Sequence, residues 1–147
     1  MTVSTHTKMV DEILNTVSLS PDPIKALHVA FDQVHFLRSY MTSAVDAEFV
    51  SFDPSEVQYS NHDFHRSLAG AHLINKGTFK TFSQVLFGQD VPDNVKKTSF
   101  KNLMELLYEP EANILYSILT KDISSIFPEL THEVISAALG GPNEKAT

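Results

Sequence analysis

Residues 99–109 read Ser-Phe-Lys-Asn-Leu-Met-Glu-Leu-Leu-Tyr-Glu, and this stretch decides the fold. Its apolar residues recur at intervals of three and four, which predicts a helix with one buried face. That face comprises Phe100, Leu103, Met104, Leu107 and Tyr108. Pro110 cannot continue this helix but suits the first position of a second one, because its missing N–H has no partner there.

Two further helices follow after short turns. The second has an apolar stripe made of Ile114, Leu115, Ile118 and Leu119. Thr131 is a suitable N-cap for the third helix, Leu130 and Ile135 are placed to form a hydrophobic staple, and Gly140 can end it. Three apolar faces joined by short turns must pack against one another or against the rest of the chain. The last third of the sequence therefore predicts a helical core.

The N-terminal half predicts shorter helices. A first helix covers residues 6–17, and two prolines within residues 18–23 end it. Residues 24–45 form either one long helix or two helices that break near Asp32, with Asp32 capping the second. We favour two helices.

The middle of the chain predicts two more helices. One begins at Asn61 or His62 and extends to about Asn75, where Lys76-Gly77 ends it. Thr78 then caps a short helix that stops before Gly88. The fold class is therefore mainly α, a compact bundle of about six to eight short helices. We expect one domain over residues 1–140 and a flexible tail over residues 141–147.

Composition narrows the function classes. The formal net charge of −7 argues against non-specific electrostatic binding to nucleic acid or to an anionic membrane. The chain has no Cys, so disulfide and thiolate chemistry are excluded. No apolar run reaches transmembrane length, and the N-terminus lacks a signal-peptide pattern. These features predict a cytoplasmic protein without membrane contact, with incorporation into a particle as a further option.

The 46–61 loop has too little alternation for more than one short strand or hairpin. Its apolar residues are either a partner-binding surface or a cover packed over the core, and we favour the cover. The candidate partner-binding residues are Phe49, Phe52, Val57 and Tyr59.

Seven histidines raise the question of a metal site. His62, His65 and His72 share a similar face of one expected helix, but their spacing matches no recognised zinc motif. Histidines that bond backbone carbonyls are the simpler interpretation. We therefore assign no metal ligand and no other cofactor.

Enzymatic motifs are not apparent either. The chain has no phosphate loop, no dinucleotide fingerprint and no nucleophile elbow. Carboxylate pairs such as Glu109/Glu111 and Asp11/Glu12 are interpreted as solvated helix ends. We expect no catalytic residue and a non-enzymatic protein.

Positive charge concentrates in the middle of the chain. A nucleic-acid patch would need these residues on one face, although a solvated lysine face is the simpler interpretation. The candidates are Arg66, Lys76, Lys80, Lys96, Lys97 and Lys101.

One resemblance adds a biological context. The order of motifs resembles a small uncharacterised protein family of myovirus-type tailed phages, chiefly cyanophages, and is strongest over residues 98–139. The motifs are Leu37-Arg38, Phe52-Asp53-Pro54, Leu68, Phe100, Leu106-Leu107, Glu111-Ala112, Ile114-Leu115, Lys121-Asp122, Leu130-Thr131 and Val134. The chain departs from the family where Lys96-Lys97 replace paired arginines and where it ends in Ala-Ala-Leu-Gly. The resemblance implies a phage context and carries no activity or site residue.

Two function classes follow from these observations. The leading hypothesis is a non-enzymatic phage accessory protein that binds a host or virion protein, either in virion assembly or to redirect a host protein. Self-association into a homo-oligomer belongs to the same class. The alternative is a nucleic-acid-associated regulator that uses the central lysines.

Overall fold

The computed structural model describes residues 9–46, 50–60 and 72–140. These residues form seven α-helices and no strand, which confirms the predicted mainly α class. The helices are α1 (Val10–Ser18), α2 (Pro23–Ala30), α3 (Leu37–Val45), α4 (Lys76–Lys80), α5 (Asp93–Leu106), α6 (Glu109–Leu119) and α7 (His132–Gly140). A π-helical turn, Thr81–Leu86, directly continues α4. The predicted domain limits stay a prediction, and the 141–147 tail lies outside the described residues.

Helix α6 lies at the centre of the bundle. It is buried along most of its length and packs against α1, α3 and α5. A helix that is apolar on nearly all sides is stable only when other elements surround it. Helix α7 closes the bundle by packing against α2 and α3.

The predicted ends of α7 are largely confirmed. Thr131 Oγ1 accepts a hydrogen bond from the N–H of Val134 at 3.2 Å, which is the expected N-cap contact. Leu130 and Ile135, the predicted staple residues, are both fully buried. The helix reaches Gly140 as predicted.

Helix α5 is longer at its start and shorter at its end than the sequence pattern predicts. It begins at Asp93, because the carbonyl of Pro92 accepts the N–H groups of Val95 and Lys96. It ends at Leu106, and Pro110 occupies the second position of α6 rather than the first. The predicted apolar face is buried at Phe100, Leu103, Met104 and Leu107, whereas Tyr108 is half-buried.

Residues 24–45 form two helices, as favoured, but Asp32 is not the cap of the second. Turn-type hydrogen bonds carry the chain beyond Asp32, and α3 begins after Phe36. Phe36 has φ 68°, a left-handed conformation that is costly for a bulky side chain. Its ring stacks on Phe79 with centroids 4.3 Å apart, a contact that offsets part of this cost.

The predicted boundary at Lys76-Gly77 is wrong. Helix α4 starts at Lys76 after Asn75, and Thr78 lies buried inside it instead of capping it. Burial of Thr78 against the core outweighs its preference for a helix end. The preceding predicted helix falls mostly on residues 61–71, which lie outside the described residues, and residues 72–75 are not helical.

The described part of the 46–61 loop packs over the core. Pro54–Glu56 form a 3₁₀ turn, and the Phe52 ring centroid lies 5.6 Å from that of Phe100. The half-buried Tyr59 meets the same Phe100 ring edge-on at 6.0 Å. Burial of these aromatic rings stabilises the loop without any strand.

Candidate functional site

A groove runs between α3 and the α4–π-helix segment, and we call it the α3–α4 groove. Its volume is about 360 Å³. Helix α3 supplies one wall, which is mainly polar, and the π-helical side supplies a second wall rich in phenylalanine. The lining residues are Arg38, Ser39, Thr42, Ser43, Asp46, Phe79, Phe82, Ser83 and Phe87.

Three backbone irregularities contact this groove. The π-helical turn presents Phe82 and Ser83 to it, and such turns often occur at functional sites. The two described non-glycine residues with positive φ, Phe36 and Lys121, also touch its walls. Phe36 stacks on Phe79, and Lys121 Nζ donates to the Ser43 carbonyl. Such conformations cost about 1–3 kcal/mol each and persist only where the surrounding structure fixes them.

Arg38 is held in place at one end of the groove. One guanidinium nitrogen donates to the Leu139 carbonyl at 3.1 Å, and the guanidinium carbon lies 4.7 Å from the centroid of the Phe31 ring. These contacts position an exposed cation with further N–H donors, since a guanidinium carries five.

A second constellation lies in the interior around the carboxylate of Glu111, which is fully buried. Its two oxygens accept the N–H groups of Leu73 at 3.0 Å and Val10 at 3.2 Å. His72 Nδ1 lies 3.3 Å from Oε1 without the angle of a hydrogen bond. Burial raises the pKa of Glu111, while the Leu73 N–H and the nearby His72 oppose that rise.

Tyr40 completes this buried cluster. Its hydroxyl donates to the Leu73 carbonyl at 2.8 Å, and burial raises its pKa above the ordinary value. Both backbone groups of Leu73 are therefore held by side chains, one from α3 and one from α6. Because the cluster is closed to solvent, it serves to dock segments and is unsuited to chemistry on a substrate.

The sequence interpretation of the carboxylate pairs is partly wrong. Glu109 and Glu12 are exposed as predicted, but Glu111 and Asp11 are buried. A carboxylate in the first turn of a helix is usually solvated, and no sequence signal shows that two distant backbone N–H groups converge on Glu111. The groove phenylalanines were overlooked for a similar reason, since spaced aromatic residues usually indicate a core.

The described members of the predicted partner-binding set do not form an exposed surface. Phe52 is buried, and Val57 and Tyr59 are half-buried against the core. Phe49 lies outside the described residues.

The predicted lysine patch contains both exposed and buried residues. Lys76, Lys80 and Lys97 are exposed, whereas Lys96 is buried and donates to Ser51 Oγ at 3.0 Å. Lys101 pairs with Glu105 at 3.1 Å, and Arg66 lies outside the described residues. Lys96 therefore cannot contribute to a phosphate-tracking surface.

Three of the four described histidines contact backbone or a carboxylate, and the fourth, His35, contacts the Phe36 ring. His28 Nδ1 lies 3.0 Å from the Ala138 carbonyl, and His132 Nε2 lies 2.9 Å from that of Val45. His72 faces Glu111, and His62 and His65 lie outside the described residues. Within the described ranges, no three His, Asp or Glu side chains converge as a metal site would need.

Comparisons with known proteins add no family. The chain matches no protein-family model, and no curated protein or solved structure is similar to it. The phage resemblance therefore stays a prediction. Among the described residues, none of the helices is long and apolar enough to span a membrane.

Proposed function

We propose that the chain is a non-enzymatic phage accessory protein that binds another protein through the α3–α4 groove. The observation that carries this proposal is the groove itself, in which phenylalanine rings face hydroxyl groups and a fixed arginine. Pockets that combine apolar walls with a few placed polar groups are typical binding sites. The strained residues that support its walls fit a surface kept for binding.

The occupant we infer is a partner segment with a large apolar side chain beside a carboxylate. Phe79, Phe82 and Phe87 would contact the apolar side chain. Arg38 lines the groove, and Lys121 Nζ lies against its wall at the Ser43 carbonyl and the Phe87 ring, whereas Asp46 is the one carboxylate among the lining residues of a chain of net charge −7. This local excess of positive charge favours an acidic segment.

The expected affinity of the groove alone is modest. Burial of one large apolar side chain contributes about 1.5–3 kcal/mol. A charge-assisted hydrogen bond to Arg38 adds about 1.5–3 kcal/mol, and association entropy offsets part of both. We therefore expect the groove to give specificity, while a complete partner protein adds surrounding contacts.

A peptide-display selection against the purified chain tests the proposal. Ser39 is exposed and lines the groove, so Ser39→Trp fills the space without altering the core. Asn102→Trp places the same side chain on the exposed side of α5 and serves as the matched control. We expect enriched peptides to combine an apolar residue with Asp or Glu, to bind Asn102→Trp, and to lose binding to Ser39→Trp.

Failure to enrich any peptide class would refute the proposal, as would equal binding to both variants. The display also defines a motif with which to search for the partner among host and virion proteins. Immunoblots of purified virions and infected host cytoplasm would then separate the two expected locations. Size-exclusion chromatography of both variants tests whether the groove binds a second copy of this chain.

The nucleic-acid alternative has less support, because burial of Lys96 removes one of its six residues. Salt-sensitive retention on DNA or RNA that Ser39→Trp leaves unchanged would favour it over groove binding.

A further inference from the structure

A second cavity borders Phe87 next to the α3–α4 groove, and we call it the Lys96 pocket. Its volume is about 320 Å³. The lining residues are Ser51, Leu86, Phe87, Gly88, Gln89, Val91, Asp93 and Lys96. Lys96 is only 6% exposed, which is unusual for a lysine.

The polar side chains of this pocket form a short chain of hydrogen bonds. Lys96 Nζ donates to Ser51 Oγ at 3.0 Å, and the Ser51 hydroxyl donates to Asp93 Oδ1 at 2.5 Å. The ammonium and the carboxylate are thus held one hydroxyl apart and form no direct ion pair within the described structure. Two opposite charges face the same small space.

The buried ammonium is incompletely satisfied by the protein. It has three N–H donors, and Ser51 is its one hydrogen-bond acceptor among the described residues. Burial of a charged group without a direct counter-ion costs folding free energy, and buried charges in stable proteins are therefore usually paired. The two remaining donors are therefore available to an anionic group in the cavity.

The two opposite charges in the Lys96 pocket indicate which class of ligand it can bind. Asp93 lies next to the lysine, so a phosphate dianion would meet a like charge. A molecule with a carboxylate and an ammonium on one carbon would satisfy both groups. Leu86, Phe87 and Val91 leave the remaining wall apolar.

We propose that the Lys96 pocket binds a free α-amino acid with a small apolar side chain. The ligand carboxylate accepts hydrogen bonds from Lys96 Nζ, and the ligand ammonium donates to Asp93. The ligand side chain lies against Leu86 and Val91. This pocket shares Phe87 with the proposed protein-binding groove, but the proposal does not depend on binding in that groove.

Gly88 shapes the wall of this pocket. A Cβ atom at position 88 would lie 2.2 Å from the Gln84 carbonyl oxygen and 2.9 Å from Val91 Cγ2. Only glycine permits this close approach, which brings the 88–91 turn over Lys96.

The test is a titration of the ¹⁵N-labelled full chain with L-alanine and L-valine, followed by amide chemical shifts. We expect saturable shifts at Ser51, Gly88 and Gln89. Lys96→Met should weaken binding by roughly tenfold or more, the loss expected for a charge-assisted hydrogen bond. Lys97→Met, on the exposed side of the same helix, should bind like the native chain.

Acetate and ethylamine each carry one of the two charges and should bind more weakly than alanine. Asp93→Asn gives a second route if Lys96→Met does not fold, and it should weaken alanine more than acetate. Absence of saturable shifts would overturn the proposal. Equal binding by Lys96→Met and Lys97→Met, or tighter binding of inorganic phosphate than of alanine, would overturn it as well.

Discussion

Replacement of Tyr40 by Phe tests how the bundle docks the segment at Leu73. The Tyr40 side chain is fully buried, and its hydroxyl donates to the Leu73 carbonyl at 2.8 Å. Tyr40→Phe removes one oxygen atom, creates almost no cavity and keeps the ring contacts with Phe79 and Phe82. The cost is therefore that of leaving a buried carbonyl without its donor, about 1–3 kcal/mol.

The assay is urea unfolding followed by circular dichroism at constant pH. We expect the free energy of unfolding to fall by about 2 kcal/mol with an unchanged m-value. For a chain of this length, the corresponding drop in Tm is about 4–8 °C.

Tyr59→Phe is the matched control. Tyr59 is half-buried, and its hydroxyl forms no hydrogen bond with another described residue, so the expected change is below about 0.5 kcal/mol. The reasoning is refuted if Tyr40→Phe costs no more than Tyr59→Phe. Because both substitutions keep the ring and remove only a hydroxyl, a similar loss in both variants would mean that the Leu73 contact does not determine the effect.

Three further substitutions test separate contacts. Burial raises the pKa of Glu111 above its ordinary value of 4.5, so the folded chain binds the carboxyl proton more tightly than the unfolded chain does. The stability that this proton contributes is fully present below pH 4.5 and is lost as the pH rises through the pKa of the folded state. The stability of the native chain relative to Glu111→Gln should therefore decline in urea titrations as the pH rises above 4.5, and a flat or rising difference would contradict this. Gly88→Ala should destabilise the chain by about 1–3 kcal/mol in thermal unfolding, because the new Cβ would meet the Gln84 carbonyl. The control Gly77→Ala places its Cβ in open space, so its stability in the same assay should be unchanged or higher by up to about 1 kcal/mol. Thr131→Ala should cost about 1 kcal/mol through loss of the α7 cap, and Thr98→Ala, an exposed residue inside α5, should cost clearly less in the same assay.

The sequence was most informative where local physical rules decide the outcome. Apolar spacing predicts the buried faces of α5 and α6, and Thr131 marks the start of α7 because its hydroxyl satisfies a nearby N–H. These signals depend on residues within a few positions of each other. They were sufficient for the fold class and for most of the C-terminal core.

Local rules failed where distant parts of the chain compete for a residue. Thr78 has the chemistry of a cap but is buried within α4. Phe36 would not be expected at a left-handed position, yet it stacks on Phe79. Such outcomes follow from packing between segments, which local sequence does not specify.

The charged residues of the candidate sites show the same difference between what local sequence specifies and what tertiary packing decides. The sequence by itself determined the net acidity, the absence of thiol chemistry and the helical periodicity of the chain. Only the tertiary structure decided that Glu111 and Lys96 are buried while Glu109 and Lys97 are exposed. The physical reason is that burial of a charge depends on partners brought from elsewhere: Val10 and Leu73 for Glu111, and Ser51 for Lys96.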